Sequence, residues 1–76
     1  MDFDHDLDAL GLLCPLPVLK ARKRLQSLAI GQVLRLQADD PAARIDVPHF
    51  CTEAGHDLIH IDTTGAARHF YIRKVA

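Results

Sequence analysis

The chain has 76 residues, 49% of them apolar and 25% charged, with a formal net charge of −1 when the histidines are neutral. A chain this short makes one small domain, residues 1–76, with no room for a large internal cavity; any chemistry belongs on the surface or at an element end, where a partner can complete the site. The charge balance lacks the global basicity of a nucleic-acid binder, and no apolar run is long enough for a membrane span.

The first predicted strand covers about His5 to Leu10, with Leu7 and Ala9 on one side and Asp6 and Asp8 on the other, the period-two pattern of a half-buried strand. A helix is expected to start just after Cys14 and run to about Leu28, because Val18, Ala21, Leu25 and Leu28 form one apolar stripe. Gly31 ends that connection, and a second strand from about Gln32 to Ala38 sets Leu34, Leu36 and Ala38 against Val33, Arg35 and Gln37.

A second helical stretch, about Ala42 to Ala54, contains Pro48, so a short first turn followed by a separate helix is expected, with Asp46 as its cap. Val47, Phe50, Cys51 and Ala54 share its inner face, and Gly55 supplies the stop. Leu58 to Thr63 and Arg68 to Val75 are expected as strands of a hairpin turning at Thr64-Gly65-Ala66. This order gives an α/β (α+β) fold of two layers, a β-α-β-α-β-β sandwich. Both helices cover one face of a four-stranded mixed sheet and the other face stays wet.

The segment Gly11-Leu12-Leu13-Cys14-Pro15-Leu16-Pro17 carries the chemical signal. Pro15 suits the first helical position, where its missing N–H is no loss, and Pro17 also falls in the first turn. The two prolines stiffen the start of the helix and leave Cys14 at or next to its N-cap. The positive end of the helix dipole favours an anion there, so the Cys14 thiol is expected below its free pKa. An accessible thiolate on a rigid corner suits sulfur exchange, which needs access rather than a deep pocket. The reading weighed against it is a buried apolar cysteine beside a turn.

The other polar residues carry less. Cys51 shares the Phe50 face and is expected in the core. No paired Cys-x-x-Cys spacing supports zinc on Cys51, His49 and His56, and His5, His60 and His69 are scattered. Leu16 and Leu19 lie off the apolar stripe and flank Cys14; with Lys20, Arg22 and Lys23 they are candidates for a docking surface with an apolar centre and a basic rim. Asp40, in Asp39-Asp40-Pro41, either orients a partner or serves the turn, and turn chemistry is the stronger reading. No basic stretch leads into an apolar one near Met1, so a cytoplasmic location with both cysteines as thiols is expected.

Taken in order, Leu7-Asp8-Ala9-Leu10-Gly11-Leu12, Cys14-Pro15-Leu16-Pro17, Gly31, Asp39-Asp40-Pro41, Asp46-Val47-Pro48 with Phe50-Cys51, His56 and Ile72-Arg73-Lys74 make the chain resemble the TusA, or SirA-like, family of sulfur-carrier proteins over nearly its whole length. The resemblance implies the same two-layer fold and a sulfurtransferase component whose Cys14 accepts sulfane sulfur from a cysteine desulfurase or rhodanese-like donor and passes it to a downstream relay protein. In some family members the route leads to 2-thiouridine in tRNA, in others to sulfur oxidation or cofactor assembly. It calls for no cofactor, metal, membrane or direct nucleic-acid contact, and for a monomer when the chain is alone. Two other readings stay open on the residues: a thiol-disulfide redox protein using Cys14 and Cys51, and a non-catalytic regulatory or interaction module.

Overall fold

A computed structural model describes residues 1–76. The elements are β1 (His5–Asp8), α1 (Leu16–Gln26), β2 (Val33–Ala38), α2 (Ala43–Ala54), β3 (Asp57–Thr64) and β4 (Ala67–Arg73). They build one mixed sheet in the order β1-β2-β4-β3. β1 runs parallel to β2, with Leu7 opposite Leu36, while β4 pairs antiparallel with both β2 and β3. The parallel pair is joined through α1, the crossover a parallel connection requires.

The strand periodicity explains the core. Leu34, Leu36 and Ala38 of β2 are buried with Phe70 and Ile72 of β4, and Ala21 and Leu25 of α1 and Val47, Phe50 and Cys51 of α2 pack into the same cluster. Both helices therefore lie on one face. The opposite face differs from the expected fully wet surface at its centre, where Tyr71 is only 4% exposed. Its ring lies 6.3 Å from Phe3 and 5.5 Å from His60, and Arg35 sits 4.3 Å from the Phe3 ring while bonding Asp6 at 2.8 Å. An N-terminal aromatic outside the strands thus roofs part of that face.

Element ends move by a residue or two for identifiable reasons. β1 stops at Asp8, although Ala9 N still donates to Gln37 O at 2.9 Å. α1 closes at Gln26 because Ser27 and Leu28 turn back on Arg24 and Leu25 with tighter bonds of 3.1 Å each. β3 is longer than expected at both ends, and β4 begins at Ala67 and stops at Arg73, leaving Lys74 and Val75 beyond it. The hairpin turns through Gly65 and Ala66, between the paired residues Thr64 and Ala67.

α2 corrects a larger expectation. It is one helix with Pro48 inside it, and Asp46 lies in its first turn rather than capping it. The chain is already turning at Asp40, whose side chain accepts from Ala42 N at 3.2 Å and whose carbonyl accepts from Ala43 N at 3.0 Å. That Asx-type start organises the backbone before Asp46 is reached.

Gly55 closes α2 with φ +80°, and Gly55 N and His56 N both donate to Cys51 O. A Cβ here would meet only Ala76 at an ordinary 3.7 Å, so the constraint is backbone strain rather than space. Replacing Gly55 with Ala is expected to lower stability by about 1 kcal/mol, read as a shifted urea midpoint with unchanged slope.

Candidate functional site

The residues singled out around Cys14 meet at the carboxyl ends of the parallel pair β1 and β2, the side of a parallel arrangement where connecting loops build sites. The β1–α1 loop is fixed from within by Leu10 N donating to Asp8 Oδ1 at 2.9 Å and by Gly11 at φ +78°. It is also tied across the sheet. Gly11 N donates to Asp39 Oδ1 at 2.9 Å and Cys14 N to Asp40 Oδ2 at 2.6 Å. Asp39 and Asp40 thus link the end of β2 to the loop that carries the cysteine. Asp40 spends its two oxygens on Cys14 N and Ala42 N, a positioning role and not a free docking carboxylate.

Pro15 occupies the N-cap rather than the first helical position, joined to Cys14 by a cis peptide bond, so Cys14 stands one residue outside the helix. Pro17 is buried beneath the first turn. Cys14 itself is exposed, and Cys51 is 2% exposed; both are free thiols. Burial pushes the Cys51 thiol up to about 11.

The thiol of Cys14 is not depressed as its place near a helix start led us to expect. Its Sγ donates to Asp46 Oδ2 at 2.7 Å. That hydrogen bond, some desolvation and the negative charges of Asp46 and Asp40 hold the thiol above its ordinary range. A hydrogen bond in which the thiol is the donor stabilises the protonated form, and two nearby carboxylates disfavour the thiolate.

Cys14 opens into a groove between α1 and α2 lined by Val18, Arg22, Asp46, His49, Phe50 and Glu53. Arg22 reaches the groove with its guanidinium 5.8 Å from the Phe50 ring. Lys20 and Lys23 take the other flank of α1, in a depression shared with Leu7, Arg24 and Ser27. The basic residues grouped together in the sequence are therefore split between two surfaces. Leu13, Leu16 and Leu19, which surround Cys14 in the sequence, are exposed and do not line its groove.

The histidines do not converge. His49 lies in the groove with a 3.7 Å contact to Glu53, whereas His56 Nδ1 accepts from Val75 N at 3.2 Å. No group of three or more His, Cys, Asp or Glu side chains is placed to hold a metal ion. No helix is long and apolar enough to cross a membrane.

Sequence reasoning located Cys14 and its prolines but missed Asp46 as a neighbour of the sulfur. The signal that could have suggested it was the pair of acidic residues, Asp40 and Asp46, flanking the start of α2, the helix that had to pack beside α1.

Two comparisons bear on the site. The model of the family described as sulfurtransferase TusA matches residues 5–74. The crystal structure of a SirA-like protein from Desulfitobacterium hafniense superposes with a TM-score of 0.83 at 24% identity, covering 96% of this chain and 100% of that one, a likeness of fold. The family match spans nearly the whole chain, so the chain belongs to the TusA sulfurtransferase family.

Proposed function

With membership of that family as premise, we propose that this protein is a sulfur carrier that receives sulfane sulfur on Cys14 as a persulfide and delivers it to a partner protein. The observation that carries the reading is the placement of Cys14: an exposed sulfur on a loop tied down by Asp39 and Asp40, beside the stiff Pro15-Leu16-Pro17 turn. In loading, Cys14 Sγ attacks the outer sulfur of a donor's cysteine persulfide. One S–S bond forms as the donor's S–S bond breaks, and the electron pair leaves on the donor's cysteine sulfur. The proton lost by Cys14 ends on that leaving sulfur, and the exchange involves no net oxidation. Delivery repeats the step with Cys14 as the leaving sulfur.

The donor fitting this chemistry is a cysteine desulfurase or rhodanese-like protein. The acceptor is a downstream relay protein, in a route such as tRNA 2-thiouridine synthesis. Incubation with a cysteine desulfurase and cysteine is expected to add about 32 Da, one sulfur, to the intact mass, and thiol reductant to remove it. A mass that stays unchanged with an active desulfurase rejects the reading.

We place docking on the exposed leucines near Cys14 in the sequence, Leu13 at 70%, Leu16 at 45% and Leu19 at 49% exposure, with Lys20 and Lys23 on the flank of α1. Apolar side chains of this kind make binding hot spots once water is excluded. Leu19→Asp is expected to weaken donor binding by about tenfold or more while stability stays within about 0.5 kcal/mol, as is usual for surface substitutions. Titration calorimetry against the donor, with a parallel melt, checks both; unchanged affinity moves the docking surface elsewhere.

A further inference from the structure

The carrier reading leaves unexplained why a sulfur acceptor should have carboxylates set against its nucleophile. Each charged group facing Cys14 from the surrounding elements has a defined position. From α1, Arg22 lies by the Phe50 ring. From the β2–α2 connection, Asp40 is bonded to Cys14 N and Ala42 N. From α2, His49 and Glu53 contact each other, and Asp46 reaches Sγ directly at 2.7 Å. Neither Asp40 nor Asp46 takes part in an ion pair; the three that form are Arg35–Asp6, His49–Glu53 and Arg73–Asp57. Asp46 alone among these groups touches the sulfur, and no cation of the chain offsets its charge within ion-pair distance.

We propose that Asp46 is a specificity-determining residue: its hydrogen bond holds the empty Cys14 as a thiol, so that the idle carrier ignores small electrophiles and takes sulfur efficiently only from a docked donor. The inference rests on the carrier reading above. Its physical basis is that the thiolate is the reacting form. A carboxylate that accepts the thiol proton as a hydrogen bond, and repels the thiolate, lowers the fraction of reactive sulfur in free solution. Docking changes that balance, because excluding water and bringing the donor's own dipoles and charges to the sulfur alters the surroundings of Asp46 and Cys14 together. The same hydrogen bond also keeps Sγ in a defined place against α2, so suppression in the free carrier need not slow the docked reaction.

The test compares wild type, Asp46→Asn and Asp46→Glu in the full-length chain. Alkylation by iodoacetamide between pH 6 and pH 10 reads the ionisation of the single exposed thiol. Asp46→Asn is expected to lower the midpoint by about one pH unit and to speed alkylation at pH 7 about tenfold, the effect of removing one like charge and its hydrogen bond. Asp46→Glu, which retains a carboxylate, is expected to keep the midpoint nearer that of wild type. Sulfur uptake is then measured from inorganic polysulfide and from a cysteine desulfurase. The ratio of desulfurase-driven to polysulfide-driven uptake is expected to fall about tenfold in Asp46→Asn, the same factor as the change in free thiolate. An unchanged alkylation midpoint, or an unchanged ratio, overturns the inference while leaving the carrier reading intact if wild type still gains sulfur from the desulfurase. If wild type gains none, the carrier reading fails and the inference falls with it. A merely structural role for Asp46 would change the melting temperature of both variants while leaving the ionisation midpoint of Asp46→Asn where it is in Asp46→Glu and wild type.

Discussion

Cys14→Ser is expected to abolish sulfur uptake, to the background of the assay, with no change of fold. The substitution is close to isosteric, and a serine hydroxyl in place of the thiol can still donate to Asp46 as Sγ does at 2.7 Å. The loop also keeps its backbone ties from Gly11 N to Asp39 and from residue 14 N to Asp40. What is lost is chemistry: a hydroxyl does not form a persulfide and ionises far above the range of a thiol. Cys51 does not substitute for it, since it is 2% exposed and its thiol is pushed up to about 11. The companion Cys51→Ser variant is therefore expected to load normally. A redox protein cycling between the two cysteines would lose turnover in both variants, so the pair separates the readings in one assay of intact mass after desulfurase treatment.

The second large effect is on stability. Phe70 is fully buried on β4, the strand that pairs with both β2 and β3, opposite Leu36 and Ile61. Phe70→Ala removes the largest fully buried side chain and is expected to cost about 3–5 kcal/mol in lost burial and residual cavity. A domain of this length has a total stability on the order of 5 kcal/mol. The variant should be substantially unfolded at room temperature, with a urea midpoint near zero and weak near-ultraviolet dichroism. A loss under about 1 kcal/mol would mean that the helices collapse onto the sheet and that the core is less specifically packed than its burial indicates.

The fold was legible because its determinants are local. Alternation in Leu34-Arg35-Leu36-Gln37-Ala38 marks a strand with Leu34, Leu36 and Ala38 buried, and of the stripe Val18, Ala21, Leu25 and Leu28 the last three are buried, Leu28 just beyond the end of α1, while Val18 is half-buried at the groove. Glycines at the stops carry positive φ, so Gly55 could be read as the end of α2. Pro48 misled because a proline lowers the odds of helix without regard to how well the helix has been started; here the Asp40 turn had already started it. Tyr71 alternates with the buried Phe70 and Ile72 onto the outer face of the sheet, yet Phe3 and His60 lie against it through contacts between distant parts of the chain, which strand periodicity alone does not supply.

The site divides the same way. Cys14, Pro15 and Pro17 are adjacent in sequence, and their meaning lies in that adjacency. The electrostatics of the sulfur depend instead on Asp40 and Asp46, which are 26 and 32 residues away and reach it through the β1–β2 pairing and the packing of α1 beside α2. Reasoning from the helix start alone supplies the attraction for an anion and omits the carboxylates, and so gives the wrong sign for the shift of the thiol. The basic cluster divides for a related reason: neighbours on a helix point in different directions, and Arg22 lines the groove while Lys20 and Lys23 line the depression on the other flank of α1.

Where the sulfur goes is the central matter, and site mapping addresses it most directly. The wild-type chain, loaded by a cysteine desulfurase and capped with iodoacetamide, is digested and its two cysteine peptides are weighed. The extra sulfur, about 32 Da, is expected on the peptide containing Cys14 and absent from the one containing Cys51. Sulfur found on Cys51, or spread equally over both peptides, would contradict a carrier built on the exposed thiol between β1 and α1.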